Sequence, residues 1–107
     1  MRSLTAPELA TLLADDSRES PLLLDVREPW EFELALIDGA RNVPMATVPA
    51  REQEFDPDAE IVVVCHHGVR SAQVCMFLER QGFTNVFNLA GGVAAWADQV
   101  DPAMPRY

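Results

Sequence analysis

Ile61-Val62-Val63-Val64-Cys65 is an unbroken apolar run, β-branched in its first four residues, and no other segment restricts the possible folds as much. A strand wetted on one face alternates polar with apolar residues. A continuous run like this one belongs in a strand covered on both faces, as in a parallel sheet with helices packed on either side. The residues that follow fit this picture. His66 to Val69 reads as a turn around Gly68, and Arg70 to Gln81 as a helix with Val74, Cys75 and Leu78 on one face and Gly82 as its stop.

The rest of the chain repeats the alternation. Met1-Arg2-Ser3-Leu4 leads straight into polar, helix-forming sequence. Thr5-Ala6-Pro7-Glu8 has the form of a capping box, and Leu9, Leu12 and Leu13 continue it as a helix ending near Asp15. Leu22 to Val26 is a second short apolar run of the buried-strand type, and Pro29 to Leu34 starts a short helix. Asp38-Gly39 marks a turn, Ala40 to Pro44 a brief extended piece, and Met45 to Phe55 a weakly signalled helix closed by Asp56-Pro57-Asp58. Asn85 to Leu89 reads as another strand, and Gly91-Gly92 turns the chain into a last helix through Trp96. Strands alternating with helices predict an α/β fold around a central, mainly parallel β-sheet flanked by helices on both faces. No linker is visible, so residues 1–107 are expected to form a single domain.

The chemistry is expected at Cys65-His66-His67-Gly68-Val69-Arg70-Ser71, between the strand and the helix. Parallel sheets place functional loops at the carboxyl ends of their strands, where Cys65 falls. The amides of a tight loop and the free N–H groups of the next helix converge there and favour negative charge. A cysteine so placed is expected to have a lowered pKa and to act as a nucleophile. Arg70 sits in a helix's first turn against the dipole preference, which suggests an anionic ligand nearby. His66 and His67 have no carboxylate partner in sequence and are expected to contribute backbone amides while their side chains line the rim. Cys75 shares the apolar face with Val74 and Leu78 and reads as core.

Composition narrows the partners. The formal net charge is -9, with 17 acidic against 8 basic residues, and every basic residue is arginine. Nucleic-acid binding is therefore not expected, and a small anion has to be held by local donors rather than by long-range steering. The longest apolar run is too short to cross a membrane, and no apolar leader opens the chain. Two cysteines without a leader fit a reducing, cytoplasmic setting. No Cys-x-x-C occurs, and Cys65, His66, His67 and Cys75 do not match structural zinc spacing, so no metal is expected.

Four segments together are recognisable. Leu23-Leu24-Asp25-Val26-Arg27-Glu28-Pro29, Ile37-Asp38-Gly39-Ala40-Arg41-Asn42-Val43-Pro44, Cys65 to Ser71, and Leu89-Ala90-Gly91-Gly92-Val93 with Trp96 appear in the order of the rhodanese signatures. The chain resembles the rhodanese family, particularly its single-domain bacterial members, over nearly its whole length. It departs from the family at Leu34-Ala35-Leu36, which stands where a Gly-His pair is common; that His is usually structural.

The resemblance implies a rhodanese-like fold and sulfurtransferase activity without a cofactor. Cys65 takes sulfane sulfur from thiosulfate, another small sulfur-donor anion or a protein persulfide, and passes it to a thiol or cyanide acceptor. By the same resemblance His66, His67, Gly68, Val69, Arg70 and Ser71 form the cradle. Asp25 and Arg27 lie beneath it, either as a buried pair that shapes the site or in contact with substrate. Two other readings compete. Phosphatases and arsenate reductases on this fold use Cys-x5-Arg, whereas this loop is Cys-x4-Arg, a size better suited to sulfur than to phosphate. Rhodanese-like domains also serve as silent interaction modules, in which the nucleophilic cysteine is often replaced.

Overall fold

The β-branched run lies at the middle of a five-stranded sheet in the computed structural model, which describes all 107 residues. In chain order the elements are β1 (Arg2–Leu4), α1 (Ala6–Ala14), β2 (Leu22–Asp25), α2 (Pro29–Leu34), β3 (Arg41–Asn42), α3 (Val48–Arg51), β4 (Ile61–Val64), α4 (Val69–Arg80), β5 (Val86–Leu89) and α5 (Gly92–Gln99). The strand order is β1-β5-β4-β2-β3, and every pairing is parallel. The mainly parallel sheet read from the sequence is thus parallel throughout.

Successive side chains of β4 point to opposite faces, and both faces are filled. Ile61, Val63 and Cys65 share one core with Val48, Val74, Cys75 and Leu78 from α3 and α4. Val62 and Val64 share the other with Ala6 and Leu9 of α1 and with Val93, Trp96 and Ala97 of α5. All four residues of β4 are fully buried. At about 1.5–3 kcal/mol for each buried aliphatic side chain, this run has no stable exposed alternative. No helix is long and apolar enough to cross a membrane.

Local signals set the helix starts. Thr5 caps α1 with both arms of a capping box in place, its hydroxyl accepting from the Glu8 amide at 3.2 Å. Pro29 opens α2, where Glu28 and Glu31 form a second box. The stretch from Met45 to Phe55 is broken where one helix was expected: 3-10 turns at Met45–Thr47 and Glu52–Glu54 flank the four-residue α3. Pro49 removes an amide there, and no apolar stripe compensates.

The amino-terminal residues add a strand to the sequence reading. Arg2–Leu4 does lead straight into α1, but these residues, to which the sequence reading assigns no element, form β1, paired Arg2 to Phe87, Ser3 to Asn88 and Leu4 to Leu89. Three residues carry no readable periodicity, and the strand's position comes from β5. The Arg2 guanidinium lies 4.2 Å from the Phe87 ring centre and donates to Thr84 O and Asn85 Oδ1, each at 3.0 Å.

Candidate active site

Where β4 ends, Cys65 turns its side chain inward and the chain bends through His66-His67-Gly68 into α4. Cys65 is only 1% exposed, and its Sγ accepts the Gly68 amide at 3.0 Å. Gly68 caps α4 at φ +99°, and a Cβ there would stand 3.1 Å from Gly91 N. Both the left-handed backbone and the close approach require glycine. The amides of His66 and His67 donate to no protein atom. Those of Val69, Arg70 and Ser71, in the first turn of α4, have no intrahelical acceptor.

The loop is held from behind by α5. Val93 N donates to Cys65 O at 2.9 Å and Ala94 N to His66 O at 3.0 Å. Gly92 makes this approach possible, since a Cβ there would lie 2.3 Å from Cys65 O and 2.4 Å from His66 O. Gly92→Ala is expected to push the loop off α5 and to cost about 2 kcal/mol or more, because strain at φ +59° adds to the overlap. A denaturant midpoint unchanged from the parent would contradict this account of the loop.

Ser71, fully buried, places its Oγ 3.2 Å from Cys65 Sγ and donates to Asn88 Oδ1. Asn88 closes the ring by donating Nδ2–H to Gly68 O at 3.1 Å. Strand β5 thereby fixes both ends of the loop through one side chain.

Arg70 does not project freely. Its Nη1 and Nη2 donate to Glu31 Oε1 and Oε2 at 2.7 and 2.9 Å. The Glu31 carboxylate also accepts the Glu28 amide at 3.0 Å and the Tyr107 hydroxyl at 2.9 Å. Hydrogen bonds from Arg70, ahead of the opposing effect of burial, hold the Glu31 carboxyl at about 2 rather than its ordinary 4.5. A folded-state pKa below the unfolded one gives stability that is present above about pH 4.5 and lost as pH falls toward 2. Glu31→Gln is therefore expected to flatten the acid side of the stability profile between those values. A slope equal to the parent's in denaturation curves taken across that window would refute this.

Asp25 and Arg27 lie below, both without solvent exposure. All five N–H groups of Arg27 are used. Nε and Nη2 bind the Asp25 carboxylate at 3.0 and 2.7 Å; the remaining donors reach Glu31 O, the Tyr107 hydroxyl and Ala35 O at 3.2, 2.8 and 2.6 Å. No Arg27 donor is left over for a substrate. His66 is stacked between two rings, its centroid 3.9 Å from both His67 and Tyr107. Burial first, then the neighbouring His67, lowers the His66 pKa and favours the neutral ring. Trp30, 59% exposed, meets Tyr107 edge-on at 6.0 Å. Cys75 is fully buried, and burial pushes its thiol up to about 12. No three His, Cys, Asp or Glu side chains cluster as metal ligands would.

Comparison with known proteins decides the family. The profile described as Rhodanese-like domain matches residues 5–99. The chain belongs to that family. A sulfurtransferase of Allochromatium vinosum is 38% identical over 97 residues, covering 91% of this chain and 89% of that protein. Rhodanese-like/PpiC domain-containing protein 12 of Arabidopsis thaliana is 38% identical over 89 residues; the match covers 79% of this chain but only 30% of that longer protein. Among solved structures, a rhodanese-like domain protein from Staphylococcus aureus superposes with a TM-score of 0.85 at 32% identity, covering 100% of this chain and 99% of the other. The fold is rhodanese-like, and the family and its sulfurtransferase relative support sulfur-transfer activity of the general kind.

Within this rhodanese-like domain, sequence reasoning located the loop but missed three of its neighbours. Asn88 left one trace, a polar residue inside the buried strand Val-Phe-Asn-Leu. Nothing local tied Glu31 to Arg70, and Tyr107 gave no signal. At the departure from the family pattern the backbone is what serves, since Ala35 O accepts from Arg27.

Proposed function

We propose that the chain moves sulfane sulfur through a persulfide on Cys65. The observation that carries this reading is the seating of Cys65 Sγ against the Gly68 amide at the start of α4, inside a rim of uncommitted amides. In the first step the Cys65 thiolate attacks the outer sulfur of a donor. The Sγ–S bond forms as the donor's S–S bond breaks, and the leaving group, sulfite in the case of thiosulfate, departs with the electron pair. In the second step an acceptor thiolate or cyanide takes the outer sulfur and Cys65 recovers its thiolate. A terminal persulfide carries negative charge, which the loop amides and the helix dipole favour.

Support for each residue's part differs. His66, His67, Gly68 and Val69 would serve through the backbone, and Ser71 through its contact with Sγ. Asp25 and Arg27 would support the floor, since their mutual pairing leaves them nothing to offer a donor. Both cysteines are unpaired, which fits a reducing compartment such as the cytoplasm. A phosphatase would need the Arg70 fork for its phosphoryl group, and Glu31 already occupies it. The test is to incubate the protein with thiosulfate, an organic thiosulfonate and a low-molecular-weight persulfide, then assay cyanide-labile sulfur. Label retained with at least one donor is expected; none with any donor would reject the reading.

A further inference from the structure

The arginine in the loop is already matched. Both Arg70 terminal nitrogens lie on Glu31, whose side chain is 6% exposed while that of Arg70 is 33% exposed. Unlike an ordinary surface pair, the carboxylate is fixed by a backbone amide and by the Tyr107 hydroxyl as well. Beneath it Arg27 is matched by Asp25 in the same bidentate manner. The two arginines and two carboxylates around Cys65 therefore cancel, and His66, stacked between rings, favours its neutral form. The chain as a whole carries -9. A donor approaching the Cys65 thiolate thus meets amide dipoles but no net positive side-chain charge.

We propose that Glu31 determines donor selectivity by holding Arg70 in a neutral pair, so that monoanionic thiosulfonate-type donors are taken in preference to dianionic thiosulfate. This rests on the Cys65 persulfide reading. Amide dipoles can hold one negative group, but two negative charges beside a thiolate call for a guanidinium. To supply one, Arg70 must leave Glu31, stranding a buried carboxylate. The chemical step is the same for both donors. With methanethiosulfonate, Sγ–S forms while the S–S bond to the sulfonyl group breaks, and methanesulfinate leaves with the electron pair. With thiosulfate the leaving group is sulfite.

The experiment compares kcat and KM for methanethiosulfonate and thiosulfate at fixed ionic strength, with cyanide as acceptor, in the parent, Glu31→Gln and Glu31→Asp. In Glu31→Gln the thiosulfate KM is expected to fall roughly tenfold and the methanethiosulfonate KM by less than about threefold, with kcat little changed. Glu31→Asp keeps the charge and should keep the parent's preference. A ratio of the two kcat/KM values that stays within about twofold in Glu31→Gln, or that moves equally in Glu31→Asp, overturns the proposal. Should Glu31→Gln fail to fold, the parent decides through inhibition by unreactive anions. Methanesulfonate is then expected to bind at least as tightly as sulfate, and sulfate binding about tenfold tighter would overturn the proposal. Intact mass separates the two ideas: sulfur on Cys65 with no change of selectivity, or sulfur taken only from a low-molecular-weight persulfide, removes only the role of Glu31, whereas no sulfur from these two donors or from the persulfide removes the persulfide reading itself.

Discussion

Cys65→Ser is expected to abolish sulfur uptake and to lower turnover by about 10³-fold or more, since a serine hydroxyl cannot form the persulfide and is a far weaker nucleophile. The parent, after incubation with a donor, should gain about one sulfur atom in intact mass (~32 Da) and lose it to cyanide or a thiol. The substitution is nearly isosteric, and Ser71 Oγ and the Gly68 amide remain in place to receive the new hydroxyl. Folding should therefore survive, and loss of the adduct can be read as chemistry. Cys75→Ser is the internal control. Its thiol, buried against Val74 and Leu78 and pushed up to about 12, has no appreciable thiolate at neutral pH. The adduct should persist in that variant. An adduct that survives in Cys65→Ser would assign the sulfur to another residue.

Asp25→Asn carries the largest expected effect on stability. The change leaves the Arg27 guanidinium fully buried with its charge unmatched. Breaking a buried pair in this way costs about 3–5 kcal/mol, against a total stability of roughly 5–15 kcal/mol for a domain of this size. Replacing both partners with apolar residues of similar volume, as in Asp25→Leu with Arg27→Met, should recover part of that loss, because no charge is then stranded. Urea denaturation of the two variants provides the check. A single variant within about 1 kcal/mol of the parent would mean that Arg27 finds compensation elsewhere.

How much of this was legible in advance depended on sequence distance. The β-branched run of β4 and the glycine three residues after Cys65 marked the strand, the loop and the cysteine proposed here as nucleophile, since each is a local property of consecutive residues. The parallel sheet followed from uninterrupted apolar strands between helices. Glu31 escaped because nothing local shows that α2 and α4 bring it to Arg70. Tyr107 meets Arg27 across 80 positions. The strand β1 is too short for any pattern and exists only because β5 offers it an edge. Arg70, in a helix's first turn against the dipole preference, implies an anion from sequence alone. The anion in the structure is the protein's own.

The hold that α5 keeps on the loop also has a bearing on time. Parallel strands pair only across long connections, and such contacts form late and slowly. On a chain that is still emerging, residues 61–71 appear well before Asn88 can reach Gly68 and before Val93 and Ala94 can grip the carbonyls of Cys65 and His66. Until then the loop around Cys65 lacks the contacts that fix its carbonyls and the Gly68 end of α4. The setting proposed for its chemistry is complete only once residues 86–94 have arrived.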